Sequence, residues 1–281
     1  NKPWEGKGIH YRMHPENARL FTVPGIDICC LANNHILDWG RKGLVQTLES
    51  LDTAGIKTAG AGKNIQSARR AAVVEFGETR IVVISAGHGS SGVPSSWSAT
   101  DERSGLYYLD ELDERSIGQI KKEVNRVATT GSIVVLSVHW GSNWGYDIPE
   151  EHRNFARHLI DEAGVDVVFG HSSHHPRAIE IHNEHLILYG AGDFINDYEG
   201  ISGHEEYRDD LVFMYFPSID PEDGTLESLD LVPMRIRQFS LHYTDEKETK
   251  WMYRLIRRES RHPGYDLQMS EENIIQLRKE K

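Results

Sequence analysis

Two largely apolar runs, Ile133 to Val138 with Ser137 as its one polar residue and Val165 to Phe169 with Asp166 as its one, flank a stretch that opens on Pro149, runs to Ala163 and stops at Gly164. An apolar run without alternation is the mark of a strand covered on both faces. Proline at the start and glycine just past the end bracket the intervening stretch as a helix. Such a strand–helix–strand unit belongs to an α/β domain.

The rest of the chain extends this pattern. Asp27 to Leu31 and Ile56 to Ala59 read as short strands, with a helix from Lys42 to Ala54 carrying Leu44, Leu48 and Leu51 on one face. Ala71 to Phe76 and Arg80 to Ser85 form a hairpin about Gly77-Glu78, and Ala178 to Ile181 pairs with Leu186 to Tyr189 in the same way. Gly87 to Ser104, rich in Gly, Ser and Pro, reads as a long loop, and Asp113 to Ala128 as a helix. Leu211 to Phe216 and Leu226 to Arg237 are β structure, while Glu246 to Arg258 and Ser270 to Lys279 read as two polar helices. The expected division is one domain over 1–240 and a C-terminal helical extension over 241–281.

The 281 residues suffice for one large core, and 38% hydrophobic with 26% charged residues is ordinary for a folded chain. A formal charge of −12 disfavours a nucleic-acid or anionic-membrane partner. No stretch reaches the roughly 20 apolar residues of a membrane helix. Cys29 and Cys30 are adjacent, so no disulfide framework is expected, and both read as strand thiols. Compartment and oligomeric state stay open.

The chemistry-bearing residues follow the strands. Leu31 runs into Asn33-Asn34-His35, Ser85 into Gly87-His88, Val138 into His139-Trp140-Gly141, and Phe169 into Gly170-His171-Ser172-Ser173-His174-His175. Tyr189 runs into Gly190-Ala191-Gly192-Asp193 in the same manner. Strand ends of this kind are where α/β sheets hold ligands. Imidazole and the Asn amide oxygen suit a divalent transition metal such as Mn, Zn or Fe. Asp38, three residues past His35, either orients that ring or caps the following helix. Asp193 either faces the site or caps a turn. His152, His158, His182 and His185 sit in polar contexts and read as surface residues; Trp140 and Trp144 read as packing residues.

Leu31-Ala32-Asn33-Asn34-His35 with Asp38 and Gly40, Gly60-Ala61-Gly62-Lys63-Asn64, His139-Trp140-Gly141, Gly170-His171 through His174, and Gly192-Asp193-Phe194 recur in an order that resembles the CapA family of poly-γ-glutamate capsule proteins, over about residues 8–240. That family is similar to the calcineurin-like metallophosphoesterases. The resemblance implies a four-layer αββα sandwich and a divalent metal site. Asn34, His139, His171 and His174 would be metal ligands. His35 and Asp38 would be catalytic, with His35 protonating a leaving group or holding a phosphate oxygen. Arg12, His88, His175 and Asp193 are weaker candidates for substrate contact. Two departures stand out. Ser172 occupies the place of an expected ligand, for which His171 or His175 would substitute. The family's opening Gly-Asp strand has no counterpart, so the sandwich is expected to be N-terminally incomplete, with a dinuclear centre only in a longer protein. The implied substrate is an anionic polymer or a small phosphoester or amide, acted on by a hydrolase. The alternative is a binding or assembly component of polymer synthesis without turnover.

Overall fold

The computed structural model describes residues 2–196 and 203–280. It is a mixed α/β structure. Among the described residues the larger sheet has seven strands. Its centre is parallel: His185–Leu188, Val167–His171, Ser132–His139 and Thr79–His88 lie side by side. Antiparallel strands flank them, Ile179–His182 on one side and Ala72–Phe76 on the other. Both hairpins read from the sequence form, the first turning through Asn183 and Glu184 at φ +48° and +66°.

Two helices cover one face of this sheet. Asp113 caps the helix Glu114–Val127 by accepting the Ser116 N–H at 3.0 Å, and Ile117, Ile120 and Val124 turn inward at helical spacing. The helix Glu150–Ala163 ends where Gly164 takes φ +72°, a left-handed turn that glycine adopts without penalty. Phe155, Leu159 and Ile160 pack against Ile84, Leu136, Val138 and Val168 of the sheet. Each such buried side chain contributes about 1.5–3 kcal/mol.

The opposite face carries the alternate residues of the same strands. There Val167, Ile179, Leu186 and Leu188 meet Leu211, Phe213, Leu229, Leu231, Ile275 and Leu277 of a second, five-stranded sheet. This corrects the reading of a helical C-terminal extension. The helix Glu246–Glu259 forms behind an Asp245/Glu248 capping box, but Ile275–Lys279 is a strand. It pairs with Tyr265–Met269 and, in register Leu229↔Leu277 and Leu231↔Ile275, with the long strand Leu226–Arg237. The charged residues of this stretch suggested a helix. The alternation of Ile275 and Leu277 with Gln276 and Arg278 is the period-two signal that prevails once a sheet edge is there to receive it. Segment 241–281 is thus built into the second sheet.

The segment read as a long loop is ordered by two short 3-10 turns, Gly89–Ser91 and Ser95–Trp97, around a fully buried Trp97. No described helix is long and apolar enough to cross a membrane.

Candidate functional site

The parallel strands place Gly87, His139 and His171 in one row across the C-terminal end of the large sheet. Both imidazoles project on the face that carries Val135 and Phe169, toward the second sheet. Their Nδ1 atoms are 3.0 Å apart, and His171 Nε2 lies 2.9 Å from Ser137 Oγ. Two proton arrangements satisfy this contact. Either His139 Nδ1–H donates to His171, whose Nε2–H donates to Ser137, or His171 Nδ1–H donates to His139 and Ser137 donates to His171. Both leave His139 Nε2 buried without a partner. Burial pushes His171 down to about 4. Burial also holds His139 well below its ordinary value, reinforced by His171, His35, His174 and Lys7. Both rings are therefore neutral at neutral pH, and the first arrangement leaves a lone pair on the unpartnered His139 Nε2, as metal coordination requires.

The two-stranded sheet of Ile28–Cys30 and Lys57–Ala59 delivers the loop Ala32–Asp38 beside this row. His35 Nδ1 is 2.8 Å from Asp38 Oδ2, and the Tyr11 N–H donates to the same oxygen at 2.9 Å. Asp38 is 1% exposed. The alternative of a helix cap is overturned: the helix Gly40–Thr53 follows Trp39, which makes no side-chain cap, and Asp38 instead fixes the His35 ring. Since Nδ1–H is committed to Asp38, Nε2 is the free working nitrogen.

Lys7, which no sequence pattern singles out, completes this group. Its ammonium donates to Asp38 Oδ1 at 2.5 Å and to the Asn34 backbone carbonyl, and stands 3.1 Å from His35 Nδ1. His35 is held below its ordinary value, first by burial and then by Lys7 and His174, against the raising effect of Asp38. A Lys7→Met variant is therefore expected to titrate His35 at higher pH. An NMR titration of the imidazole reads this directly, and an unchanged or lower midpoint would exclude the electrostatic role of the lysine.

His174 Nδ1 lies 2.9 Å from Asp193 Oδ2, which also accepts from Asn196 at 2.8 Å. Burial alone would lower His174, yet the Asp193 hydrogen bond and charge, with Asp209, raise it overall. Asp193 thus meets His174, whatever turn it also ends. Asp209 was not legible, because it precedes its strand, Leu211–Ile219, instead of following it. Ser137 was visible as the polar residue in an otherwise apolar run.

Other candidates lie elsewhere. Ser172 takes φ +139°, a strained setting for a non-glycine residue, and donates its hydroxyl to Gly141 O at 3.1 Å. Between the two possible substitutes for it, His171 touches His139, whereas His175 is fully buried among Tyr146 and Tyr207 with Nδ1 3.1 Å from Pro176 O. His88 follows Gly87 and so turns to the opposite face, where Nδ1 meets Ser90 Oγ at 2.8 Å. Arg12 stacks on Trp39 at 4.4 Å, at the side of His35. His152, expected at the surface, is buried and lies parallel to Trp140 at 4.6 Å, because residues 152, 155 and 159 share the inward helix face. Burial pushes it down to about 4. Trp140 donates to Tyr189 O at 3.1 Å directly over Gly170, where a Cβ would lie 2.6 Å from both groups. Only glycine permits that crossing one residue before His171.

The donors suit a divalent transition metal in kind: neutral imidazoles, one with an orphaned buried nitrogen, beside an Asn-His segment. Among the described residues, however, no group of three or more His, Cys, Asp or Glu side chains is placed to hold an ion.

A family model described as "Bacterial capsule synthesis protein PGA_cap" matches residues 1–198. A "probable polyglutamine synthesis accessory protein" of Mycobacterium tuberculosis (strain ATCC 25618 / H37Rv) is 42% identical over 273 residues, which cover 96% of this chain and 72% of that protein. The capsule biosynthesis protein CapA of Bacillus anthracis is 25% identical over 234 residues, covering 83% of this chain and 54% of its own length. The PGA biosynthesis protein CapA of Bacillus subtilis (strain 168) is 26% identical over 210 residues, covering 74% and 52%. The chain thus spans about half the length of these two CapA proteins, and the CapA resemblance read from its motifs is borne out. This chain belongs to the bacterial capsule synthesis protein family PGA_cap.

Proposed function

We propose that this chain is a metal-dependent hydrolase domain serving capsule or poly-γ-glutamate synthesis, acting on a phosphoester or amide-like bond. The observation that carries the reading is the buried, unpartnered Nε2 of His139, in contact with His171 at the strand ends. The two packed sheets with helices on the outer face of the larger one supply three of the layers of an αββα sandwich of the metallophosphoesterase type, while the helix Glu246–Glu259 adds Met252 and Ile256 to the core between the sheets. His139 would hold the ion through Nε2, and His171 would join it by releasing Ser137 from its own Nε2, with Asn34 and His174 as further ligands. A bound Mn, Zn or Fe ion supplies Lewis acidity at the reacting centre. His35, oriented by Asp38, takes the proton of the attacking water on Nε2 and returns it to the departing oxygen or nitrogen. Lys7 and burial keep that imidazole neutral, and so ready to accept.

Metal analysis tests the reading. The purified protein is expected to take up a divalent transition metal and to hydrolyse bis(4-nitrophenyl) phosphate or a γ-linked glutamate oligomer, and His139→Ala to lose both properties. Wild-type protein that takes up none of these metals near neutral pH contradicts it. A second reading, a binding or assembly component without turnover, is favoured by the missing three-residue cluster among the described residues. Polymer retention unaffected by chelator and by His171→Ala would select it.

A further inference from the structure

A cavity of about 700 Å3 opens beside His35, which forms part of its wall. Its volume is that of a small-molecule site. Phe21, Leu31, Ile36 and Leu51 make the wall largely apolar. The helix Gly40–Thr53 contributes Thr47 and Ser50, but their hydroxyls already donate to Gly43 O at 3.0 Å and Gln46 O at 2.7 Å. Among the described residues no Asp or Glu lines the cavity.

The permanent charge at this wall is Arg12. Its guanidinium carbon stands 4.4 Å from the centre of the Trp39 ring, and among the described residues it has no carboxylate partner within ion-pair distance. Lys7, the nearby cation, is already engaged by Asp38 and Asn34. His35 joins this cavity to the histidine row, since it lines the one and is electrostatically coupled to His139 and His174 in the other.

We propose that this cavity is the subsite for the non-reacting part of the substrate, and that it takes an apolar or aromatic body carrying one negative charge, paired with Arg12. The inference rests on the hydrolase reading for what happens next to His35, though not for the binding itself. Apolar walls reward burial of an aryl or acyl body. One guanidinium neutralises one anion, and further carboxylates would be desolvated there without partners.

Isothermal titration of the full chain with bis(4-nitrophenyl) phosphate, a monoanion with two aryl groups, tests this with and without added Mn. The probe is expected to bind in both conditions. Arg12→Gln should weaken binding about tenfold or more, Arg12→Lys should restore part of it, and Thr47→Trp, which fills the cavity, should abolish it. Arg12 is exposed, so its variants test the idea even if Thr47→Trp fails to fold. Equal affinity in wild type and Arg12→Gln overturns the proposal. Hydrolysis is followed separately. Arg12-dependent binding without turnover under any metal leaves the subsite standing and removes the hydrolase reading. Turnover indifferent to Arg12→Gln and Thr47→Trp does the reverse.

Discussion

If the chain is the metal-dependent hydrolase proposed above, His35→Ala is expected to lower turnover by about 10²–10⁴-fold without lowering metal uptake. That range is the usual contribution of a positioned acid–base side chain. The prediction follows from the division of roles at the site: His139 and His171 meet each other in the strand row, while His35 is held on a separate loop by Asp38. Steady-state kinetics alongside metal analysis checks it. If the variant loses metal in proportion to activity, His35 is a ligand and the assignment of the proton transfer to it fails. Asp38→Asn should fall in the same direction by less, because an amide still accepts the Nδ1–H bond but no longer supports a charged ring.

Glu180→Ala is expected to destabilise the fold by about 3–5 kcal/mol, the loss typical when one partner of a buried ion pair is removed. The Glu180 carboxylate is 5% exposed and accepts from Arg157 Nε at 2.7 Å, Arg153 Nη1 at 3.3 Å and the Tyr189 hydroxyl at 3.0 Å. It fastens the helix Glu150–Ala163 to the sheet edge. Burial alone would raise its pKa, but the hydrogen bonds and charge of Arg157, with Tyr189 and Arg153, bring it below the ordinary carboxylate value of 4.5. A carboxyl depressed in the folded state stabilises fully above its unfolded pKa, and that contribution vanishes as pH falls through the folded pKa. The wild-type advantage over Glu180→Ala should thus hold at neutral pH and shrink below about pH 4.5. Chemical denaturation at several pH values reads both effects, and a difference under 1 kcal/mol at pH 7 would show that the arginines find other partners.

The legible part of this molecule is the part governed by local period. Ile133 to Val138 and Pro149 to Gly164 announced a buried strand and a bracketed helix, and both stand where expected. The strand-end histidines were legible for the same reason, because parallel strands in one sheet gather their ends. What failed required knowledge of partners. Ile275–Lys279 becomes a strand only because the edge of Leu226–Arg237 accepts it. His88 and His139 both follow apolar runs, and a one-residue difference in register sends them to opposite faces. Lys7 reaches Asp38 across 31 positions from a segment without periodicity, so no spacing rule could find it. Arg177, buried close to the strand-end histidines in sequence, donates to the carbonyls of Ser142 and Trp144, contacts that no sequence spacing announces.

The His139 and His171 rings lie 4.9 Å apart, centre to centre, on residues paired directly across two hydrogen-bonded strands. Neighbouring strands repeat at about 4.7–4.9 Å whatever their sequence. The backbones that carry this imidazole pair are therefore set at a ruler mark of the sheet itself. Changes to the surrounding loops can retune the rings and their contacts to a ligand, but the two points from which the rings project stay one strand apart for as long as the strands stay paired.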